Sequence, residues 1–442
     1  MWLERLTGWL WTPWLLGLFL VTGLVYSVCT GFFQVFGIRR WVGDTLLCRD
    51  RTGEAGELSP VQSLMAALAS TLGTGSIAGV AAAIVCGGPG AVFWMWVCAA
   101  LGMMTGCAEK ILTLLYRRRD GEGWAGGPMY YMAYGLHSPA LAACWAVACM
   151  GGALTGGGLV QSGSMAQALE GAAGLDPGCV SIVTALLSGV VLAGGLGRIA
   201  RVSQLLVPVM GLLLLAGGGM VLWVRREYLP QVLTSIFTCA INPRSALGGA
   251  CGYTVLEGLR YGVARGVFTN EAGMGSTALA HAGARVDHPV RQGFWAMVEV
   301  FLATGVVCTV IALVILTAGV YDAAHPGAVT GVELTACSFA AVLGPAGRWL
   351  VTASLSLFAF TSVVGWCYYG QTAARWLFGR WGGRVWPVVF LAVTAAGGWG
   401  DTQGLWQSVD LFTALMSLPN LVALIVLSPQ VLKCFFSYQK CV

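Results

Sequence analysis

Charged residues are scarce in this chain of 442 residues: Asp, Glu, Lys and Arg make up 10% of it, while 57% is hydrophobic. An ordinary soluble domain carries about a quarter charged residues. The composition therefore excludes a soluble protein and indicates one that crosses a membrane several times. The net charge is +5, but no basic run alternates with aromatic residues, which argues against nucleic-acid binding.

Histidine and paired cysteines, which metal and disulfide chemistry would need, are also lacking. The four histidines are not at metal-ligand spacing, and the 15 cysteines stand singly with no C-x-x-C pair. We interpret the cysteines as small buried residues. No Ser/His/Asp or paired-metal pattern at catalytic spacing is present, so we predict that the protein is not an enzyme. The apolar run 9–35 is too long for a signal peptide and is predicted to be a retained span.

Long hydrophobic runs are what the sequence has in abundance. About 20 apolar residues suffice to cross a bilayer as a helix. We therefore predict an all-α polytopic membrane protein with about eleven transmembrane helices, the longest of which include interfacial helix. The predicted spans are 9–35, 61–86, 90–116, 139–170, 178–196, 203–224, 246–283, 293–320, 334–371, 385–400 and 405–432.

The basic residues are unevenly distributed between the two sides that these spans define. Connections that follow odd-numbered spans, with the C-terminus, hold 16 Lys and Arg, against 5 on the other side. Cytoplasmic connections are enriched in Lys and Arg. The asymmetry predicts a cytoplasmic C-terminus and an N-terminus outside.

The stretch Ala69 to Gly79 (ASTLGTGSIAG) interrupts a span with glycines and hydroxyl residues. Backbone groups can leave the helical ladder at membrane depth only where they face protein or a water-filled cavity. A second polar and glycine-rich stretch, 269–276, lies in a later span. Two interrupted spans at matching positions are the expected mark of a substrate and ion site in a transporter.

Setting the first span aside leaves ten, which divide as five plus five with opposite topologies. We accordingly expect an extra N-terminal helix with a cytoplasmic connection (1–60), a first five-helix repeat (61–224), an external connecting segment (225–245), a second, inverted repeat (246–432) and a cytoplasmic tail (433–442). No residue-level repeat supports this division, which rests on topology.

Chemically, a half-helix N-terminus presents free N–H groups that suit a carboxylate, and a half-helix C-terminus presents carbonyls that suit a cation. Small residues in spans also serve close helix packing, which remains the alternative. For Glu271 in the second break the alternatives are a structural role, either accepting N–H bonds from unwound backbone or pairing with Arg265, and a role as a direct ligand. Glu109, beside Lys110, is expected at the membrane interface. His281 is expected to be a polar residue lining its helix rather than a proton relay.

Five stretches together resemble the alanine or glycine:cation symporter family, also known as the sodium:alanine symporters. They occur in the family's order across nearly the whole chain: GTGSIAGV at 73–80, GGPGAVFWMW at 87–96, GGPMY at 126–130, GVFTNEAGMGS at 266–276 and GWCYYG at 365–370. The resemblance implies a multi-pass protein of a bacterial inner membrane with the leucine-transporter-like five-plus-five fold. It also implies Na⁺-driven uptake of alanine or glycine.

The resemblance further implies which residues bind. Substrate would contact the backbone N–H groups of Thr74 and Gly75, and the pocket would include Ser76, Gln161, Phe268, Thr269, Asn270 and Trp366. The co-transported Na⁺ would be held by the carbonyls of Ala69 and Leu72 and the hydroxyls of Thr361 and Ser362. The implied partners are a small neutral amino acid, sodium and the lipid bilayer; oligomeric state is left open.

The chain departs from the family at three positions. Ser76 and Gly163 stand where the family usually has Asn, and Gln371 where it usually has Glu. We hypothesise altered selectivity or ion coupling. The alternatives are another substrate such as glutamine or serine, proton coupling, and a membrane receptor that no longer transports.

Overall fold

The computed structural model describes residues 2–11, 13–47, 56–120, 123–241, 255–322, 325, 329–400 and 402–441. Parts of several predicted segments lie outside the described residues: 48–55 of the first connection, 242–245 of the external segment, 246–254 of the seventh span and 442 of the tail. The described chain is almost entirely helical, with one short antiparallel pair of strands, β1 (Arg118–Arg119) and β2 (Trp124–Ala125).

In the first half of the chain the described residues form thirteen α-helices, two π-helical turns and one 3₁₀ turn. The helices are α1 (Trp2–Leu10), α2 (Pro13–Cys29), α3 (Phe33–Phe36), α4 (Ile38–Thr45), α5 (Pro60–Thr71), α6 (Val80–Gly87), α7 (Gly90–Tyr116), α8 (Pro128–Tyr134), α9 (Pro139–Gly152), α10 (Val160–Ala173), α11 (Pro177–Leu192), α12 (Gly195–Val224) and α13 (Leu229–Ile241). A π-helical turn, Gly75–Gly79, precedes α6, and a second, Ala153–Leu159, joins α9 to α10. A 3₁₀ turn, Arg226–Tyr228, precedes α13.

Eight helices follow in the described part of the second half. They are α14 (Val255–Asn270), α15 (Ala278–His281), α16 (Pro289–Val300), α17 (Thr309–Thr317), α18 (Gly331–Leu343), α19 (Pro345–Ala395), α20 (Thr402–Val426) and α21 (Ser428–Cys441). A third π-helical stretch, Phe301–Cys308, joins α16 to α17, and a 3₁₀ turn, Ala396–Trp399, follows α19.

The structure confirms a polytopic all-α membrane protein. Within the described residues seven helical stretches are long and apolar enough to cross a membrane, or eight with the bent pair α5 and α6. α11 is apolar but shorter. The predicted spans 334–371 and 385–400 were wrongly bounded: residues 334–343 belong to the separate helix α18, which ends at Gly344, and the rest lies in α19, which reverses at Gly379 (φ 66°, ψ −156°).

The first break is set by local sequence at both ends of α5. Ser59 caps the helix reciprocally with Gln62, and Pro60 occupies the first helical position, where it is best tolerated. The helix stops where Leu72 leaves the helical region (φ −77°, ψ 79°). The chain resumes as a π-helical turn at Gly75, and the two halves are bent by 57°.

The second break, between α14 and α15, contains three residues with positive φ: Glu271 (53°), Gly273 (92°) and Gly275 (80°). Glycine adopts this conformation freely, whereas for glutamate it is uncommon. The glycines thus allow the chain to reverse within the core, and Glu271 is held in its conformation by its surroundings.

Side-chain contacts gather the connections at two ends of the bundle. At one, Arg375 pairs with Asp120 at 2.8 Å, Arg117 donates to the carbonyls of Ala282 and Ala284, and Tyr438 donates to Asp44. We call this the arginine-rich end. At the opposite end Arg348 pairs with Glu333 at 2.6 Å. Connections after odd-numbered predicted spans therefore meet at one end, as the charge pattern predicts.

The cysteines differ from the prediction of single buried residues. Cys239 is disulfide-bonded, and Cys29, Cys86, Cys144 and Cys179 are exposed on the protein surface. Because cysteine is apolar, a lipid-facing helix surface accommodates it as well as the core does.

Candidate functional site

The hydroxyl of Ser362, on α19, lies against the end of α5. Its O–H group lies within hydrogen-bond distance of three carbonyl oxygens, those of Ala69 (3.2 Å), Ser70 (3.0 Å) and Leu72 (3.5 Å). These carbonyls are free because α5 ends there. Ala69, Leu72 and Ser362, predicted as sodium ligands, are thus brought together, and their oxygens are the ligand type that a hard cation prefers.

Thr361, the fourth predicted ligand, faces a different neighbour. Its Oγ1 donates to the carbonyl of Phe358 at 3.1 Å and lies 3.7 Å from the sulfur of Met210 on α12. The Phe358 carbonyl, which sequence reasoning missed, therefore stands beside the Thr361 hydroxyl. A bond to the carbonyl three residues earlier is common for Thr in helices and gives no signal in the sequence.

Gln161, from α10, reaches into the first break. Its Oε1 accepts from the backbone N–H of Thr74 at 3.0 Å, and its Nε2 donates to the Gly156 carbonyl in the second π-helical turn. A Cβ on Gly73 would lie 2.6 Å from Ser362 Oγ and 3.0 Å from Gln161 Oε1. Gly73 therefore separates the predicted cation ligands from the predicted substrate residues by one backbone position.

Two aromatic side chains press on glycines of the site. A Cβ on Gly75 would lie 2.7 Å from Cδ1 of Phe268, whose ring meets Trp406 at 5.4 Å between centroids. The buried Trp366 covers Gly157 so closely that a side chain there would overlap the indole. Trp406 was missed, since one aromatic residue in an apolar span carries no positional signal.

Thr269 and Asn270 are the last residues of α14, and their side chains form hydrogen bonds at the second break. Thr269 Oγ1 donates to the Gly266 carbonyl and shares a 3.2 Å hydrogen bond with Thr304, in the third π-helical stretch. Asn270 Oδ1 accepts from the N–H of Ala272, and its amide faces Cys98 on α7. The structure therefore directs the Asn270 side chain toward the second break and α7. π-helical segments are frequent at functional sites, and the three found among the described residues all contribute groups here.

Two hydroxyls in the first break are buried with no hydrogen-bond partner among the described residues: Thr74 Oγ1 and Ser76 Oγ. An unpaired buried hydroxyl costs on the order of 1–3 kcal/mol. A polar ligand in the break would satisfy both, which fits their prediction as substrate-binding residues.

Glu109 is fully buried, so its predicted interfacial position was wrong. Its Oε1 accepts from the N–H of Gly273 (2.8 Å) and from Asn420 Nδ2 (2.7 Å), and that amide also donates to the Gly273 carbonyl. Tyr131 in turn donates to Asn420. Glu109 thus clamps the second break, and its position near the end of a long span concealed this role.

Lys110 and Glu299 extend this clamp to the first break. Lys110 Nζ lies 3.5 Å from Glu109 and 3.6 Å from Glu299, and donates to Thr277. Glu299 accepts hydrogen bonds from His281 (3.2 Å) and from the Thr71 hydroxyl (3.3 Å). Thr71 is the last residue of α5. We refer to Glu109, Lys110, Glu299 and His281 as the buried charge network. It connects both breaks through α7 and α16.

The predicted alternative that Arg265 pairs with Glu271 was wrong. Glu271 accepts from the Ser276 hydroxyl. Arg265 instead makes a two-point ion pair with Asp410 on α20, both N–O distances being 3.0 Å, and stacks over Trp406. Together with Phe268, this ion pair and Trp406 cover the first break on the side that faces away from the arginine-rich end. Asp410 lies 145 residues away, which sequence spacing alone does not link to Arg265.

A cavity of about 450 Å³ lies at the arginine-rich end. Its walls include Glu57, Asp120, Tyr130, Tyr368 and Arg375. Burial raises the pKa of Tyr130 to about 12. Next to this wall, Tyr369 shares a 2.5 Å hydrogen bond with Ser70 of α5. The wall of this cavity therefore adjoins a residue that contacts α5, while the Arg265–Asp410 pair lies on the other side of the site.

Of the family departures, Ser76 lies inside the first break, whereas Gly163 lies elsewhere. The Gly163 backbone packs against Gly397 in the 3₁₀ turn after α19, where a Cβ on Gly397 would lie 3.2 Å from Gly163 N. Two positions on a helix diverge by about 200°, so Gly163 faces away from Gln161. Gln371 lines the cavity at the arginine-rich end.

A bundle of apolar helices with two spans broken at one buried, oxygen-lined point defines a secondary membrane transporter. Comparison with known proteins gives its family. The chain belongs to the sodium:alanine symporter family, whose profile matches residues 1–442. It is 38% identical to the sodium/alanine symporter AgcS of Methanococcus maripaludis over 96% of this chain and 94% of that protein. It is 32% identical to the probable sodium/glutamine symporter GlnT of Bacillus subtilis, over 98% and 90%.

Solved structures share the fold. A crystal structure of MhsT in complex with L-phenylalanine aligns with a TM-score of 0.59 at 16% identity, over 85% of this chain and 90% of that one. The manganese transporter of Eremococcus coleocola aligns at 0.55 and 14%, over 85% and 80%. The protein is therefore a multi-pass transporter rather than an enzyme, of a sodium-coupled amino-acid symporter family.

Proposed function

We propose that the protein carries a small neutral amino acid, alanine or glycine, into the cell together with Na⁺ by alternating access. The observation that carries the proposal is the set of free carbonyls at Ala69 and Leu72 facing the Ser362 hydroxyl, one residue from the break that exposes the Thr74 N–H. A cation site and a carboxylate site thereby adjoin at Gly73.

The proposed order starts with Na⁺. The ion would lie among the carbonyls of α5, where the Ser362 O–H now points; the hydroxyl keeps its proton and turns so that its oxygen faces the ion, and Thr361 becomes a further ligand after rotation of its side chain. The substrate carboxylate then takes the Thr74 and Gly75 N–H groups in place of Gln161 Oε1. Thr269 and the hydroxyls of Thr74 and Ser76 line the remaining space, with Phe268 and Trp366 as its apolar walls.

Movement across the membrane requires one end to close before the other opens. We assign the Arg265–Asp410 ion pair and the Phe268–Trp406 contact to the outer closure, and the Arg375–Asp120 pair to the inner one. The membrane potential contributes about 2.3 kcal/mol per charge per 100 mV to uptake of the ion.

The same proposal includes the orientation and the internal division. We place the arginine-rich end and the C-terminus in the cytoplasm of a bacterial inner membrane, because basic connections stay inside. We propose two inverted halves, 61–224 and 246–432. The two breaks support this, since each lies in the first helix of its half and both are joined by the buried charge network.

The test is uptake of a radiolabelled amino-acid panel into proteoliposomes, with and without an inward Na⁺ gradient. We expect sodium-dependent accumulation of alanine or glycine. Accumulation of glutamine or serine instead would correct the substrate, and uptake driven by a pH gradient without Na⁺ would replace sodium coupling with proton coupling. Folded protein that accumulates none of these would contradict transport.

A further inference from the structure

The turn in α19 gathers three arginines at the arginine-rich end. The chain reverses at Gly379, and a cavity of about 180 Å³ forms between the two limbs. Arg375 lies on one limb, Arg384 on the other, and Arg380 at the turn. Gln371, whose Nε2 donates to the Gly383 carbonyl at 2.8 Å, fixes the two limbs beside the cavity.

The cavity is lined by positive charge without a carboxylate among its described walls. Arg375 pairs with Asp120, which lines the larger neighbouring cavity. Arg380 and Arg384 form no ion pair within the described part of the chain. Guanidinium groups bind phosphate oxygens in two-point geometry, so three around one small cavity favour a phosphate over a monovalent inorganic anion.

The surroundings indicate that the phosphate comes from a lipid. Beside the cavity, Phe378 is 59% exposed and Trp381 70% exposed. Aromatic side chains at the ends of spans mark the level of the lipid headgroups, and basic pockets between membrane helices bind anionic headgroups. We propose that Arg375, Arg380 and Arg384 bind the phosphate of an anionic phospholipid whose acyl chains lie along the exposed aromatic residues.

This site shares Arg375 and Gln371 with the larger cavity. A bound phosphate therefore competes with the Asp120 carboxylate for the Arg375 guanidinium. Removing the carboxylate frees Arg375 for the lipid, so Asp120→Asn is expected to tighten binding of the lipid. That gain cannot arise from general loss of fold.

The experiment measures lipid binding to the purified full-length chain by native mass spectrometry. The probes are phosphatidylglycerol, phosphatidylcholine with the same acyl chains, and glycerol phosphate without acyl chains. We expect phosphatidylglycerol to be preferred to phosphatidylcholine. The double variant Arg380→Gln with Arg384→Gln is expected to bind phosphatidylglycerol about 30-fold more weakly, since each arginine contributes about 1 kcal/mol and about 1.4 kcal/mol is a tenfold change in affinity.

Arg198→Gln with Arg201→Gln is the matched control, because it removes the same charge from α12, outside this cavity. We expect the control to bind phosphatidylglycerol like the unmodified chain. Equal binding by the Arg380/Arg384 variant and the unmodified chain, or equal losses in both variants, would overturn the proposal. Glycerol phosphate binding as tightly as the lipid would assign the site to a soluble phosphate instead, and unchanged binding by Asp120→Asn would remove Arg375 from it.

Discussion

At the scale of single residues, the site depends on side chains that replace missing backbone partners. Ser362 serves three carbonyls that α5 leaves free, and Gln161 serves an N–H that the next turn leaves free. Both side chains come from other helices. Each therefore stabilises an interrupted helix and occupies the position that we propose for a ligand.

The first prediction concerns Ser362→Ala. We expect the Na⁺ concentration for half-maximal uptake to rise about 10-fold, because one oxygen ligand worth about 1.5 kcal/mol is lost. The measurement is initial uptake against Na⁺ concentration. Ser354→Ala is the control, since Ser354 is buried on the same helix and its hydroxyl has no partner within the described residues. An unchanged Na⁺ dependence in Ser362→Ala would contradict the cation site.

The second prediction concerns Gly75→Ala. Its Cβ would lie 2.5 Å from Cε1 of Phe268, so the ring must shift or the break must widen. Overpacking of this kind costs about 1–3 kcal/mol, and we expect a KM for the amino acid raised roughly 10-fold, measured by initial uptake at saturating Na⁺. In Gly79→Ala the added methyl has only ordinary contacts at 3.9 Å. If both variants show the same KM, Phe268 does not shape the pocket.

The third prediction distinguishes the effects of two family departures, Ser76 and Gly163, by changing each to Asn separately. Ser76 lies in the break and Gly163 against the turn after α19, so Ser76→Asn alone is expected to alter substrate preference, whereas Gly163→Asn alone is expected to lower stability. Competition of the uptake by a panel of unlabelled amino acids measures the first, and thermal unfolding the second. A change of preference in Gly163→Asn but not in Ser76→Asn would contradict this assignment.

At the scale of elements, the two broken spans are fastened to the intact helices α7 and α16. Glu109 and Asn420 hold the backbone around Gly273, while Glu299 holds Thr71 at the end of α5. Lys110 joins the two carboxylates. Buried charged groups therefore connect the two breaks.

A prediction at this scale is that Lys110→Met strongly destabilises the protein. Two buried carboxylates would lose their shared cation, and breaking a buried pair in this way costs about 3–5 kcal/mol. Lys110→Met combined with Glu299→Gln is expected to recover part of the loss. Thermal unfolding in detergent measures both, and Lys433→Met, at an exposed lysine of α21, is the control. Equal unfolding temperatures for Lys110→Met and the unmodified chain would show that the network contributes nothing to stability.

At the scale of the whole molecule, the two ends of the bundle differ. The arginine-rich end contains the cavity of about 450 Å³, and the opposite side of the site is covered by the Arg265–Asp410 pair. We predict that a fluorescent protein fused to the C-terminus is fluorescent in a bacterial host, while an alkaline phosphatase fusion at the same point is inactive. The reverse pattern would invert the proposed orientation.

Sequence reasoning reached the features that local composition determines. The glycines and hydroxyl residues at 73–76 and 269–276 predict both breaks, because clusters of such residues at matching positions of two spans are typical of interrupted membrane helices. The partners across the bundle were not predictable: Asp410 for Arg265, Trp406 for Phe268 and Asn420 for Glu109. Glu109 was misplaced because a charged pair near the end of a span is normally interfacial, and only the folded chain shows that α7 carries it inward.

Gly73 gives this architecture a thermodynamic consequence. Its missing side chain leaves the space into which both Ser362 and Gln161 reach. Any occupant that reorients this peptide changes the affinity for the other occupant, and linkage requires the two effects to be equal. The factor by which sodium strengthens amino-acid binding must then equal the factor by which the amino acid strengthens sodium binding, and both should collapse together when a methyl group is placed at position 73.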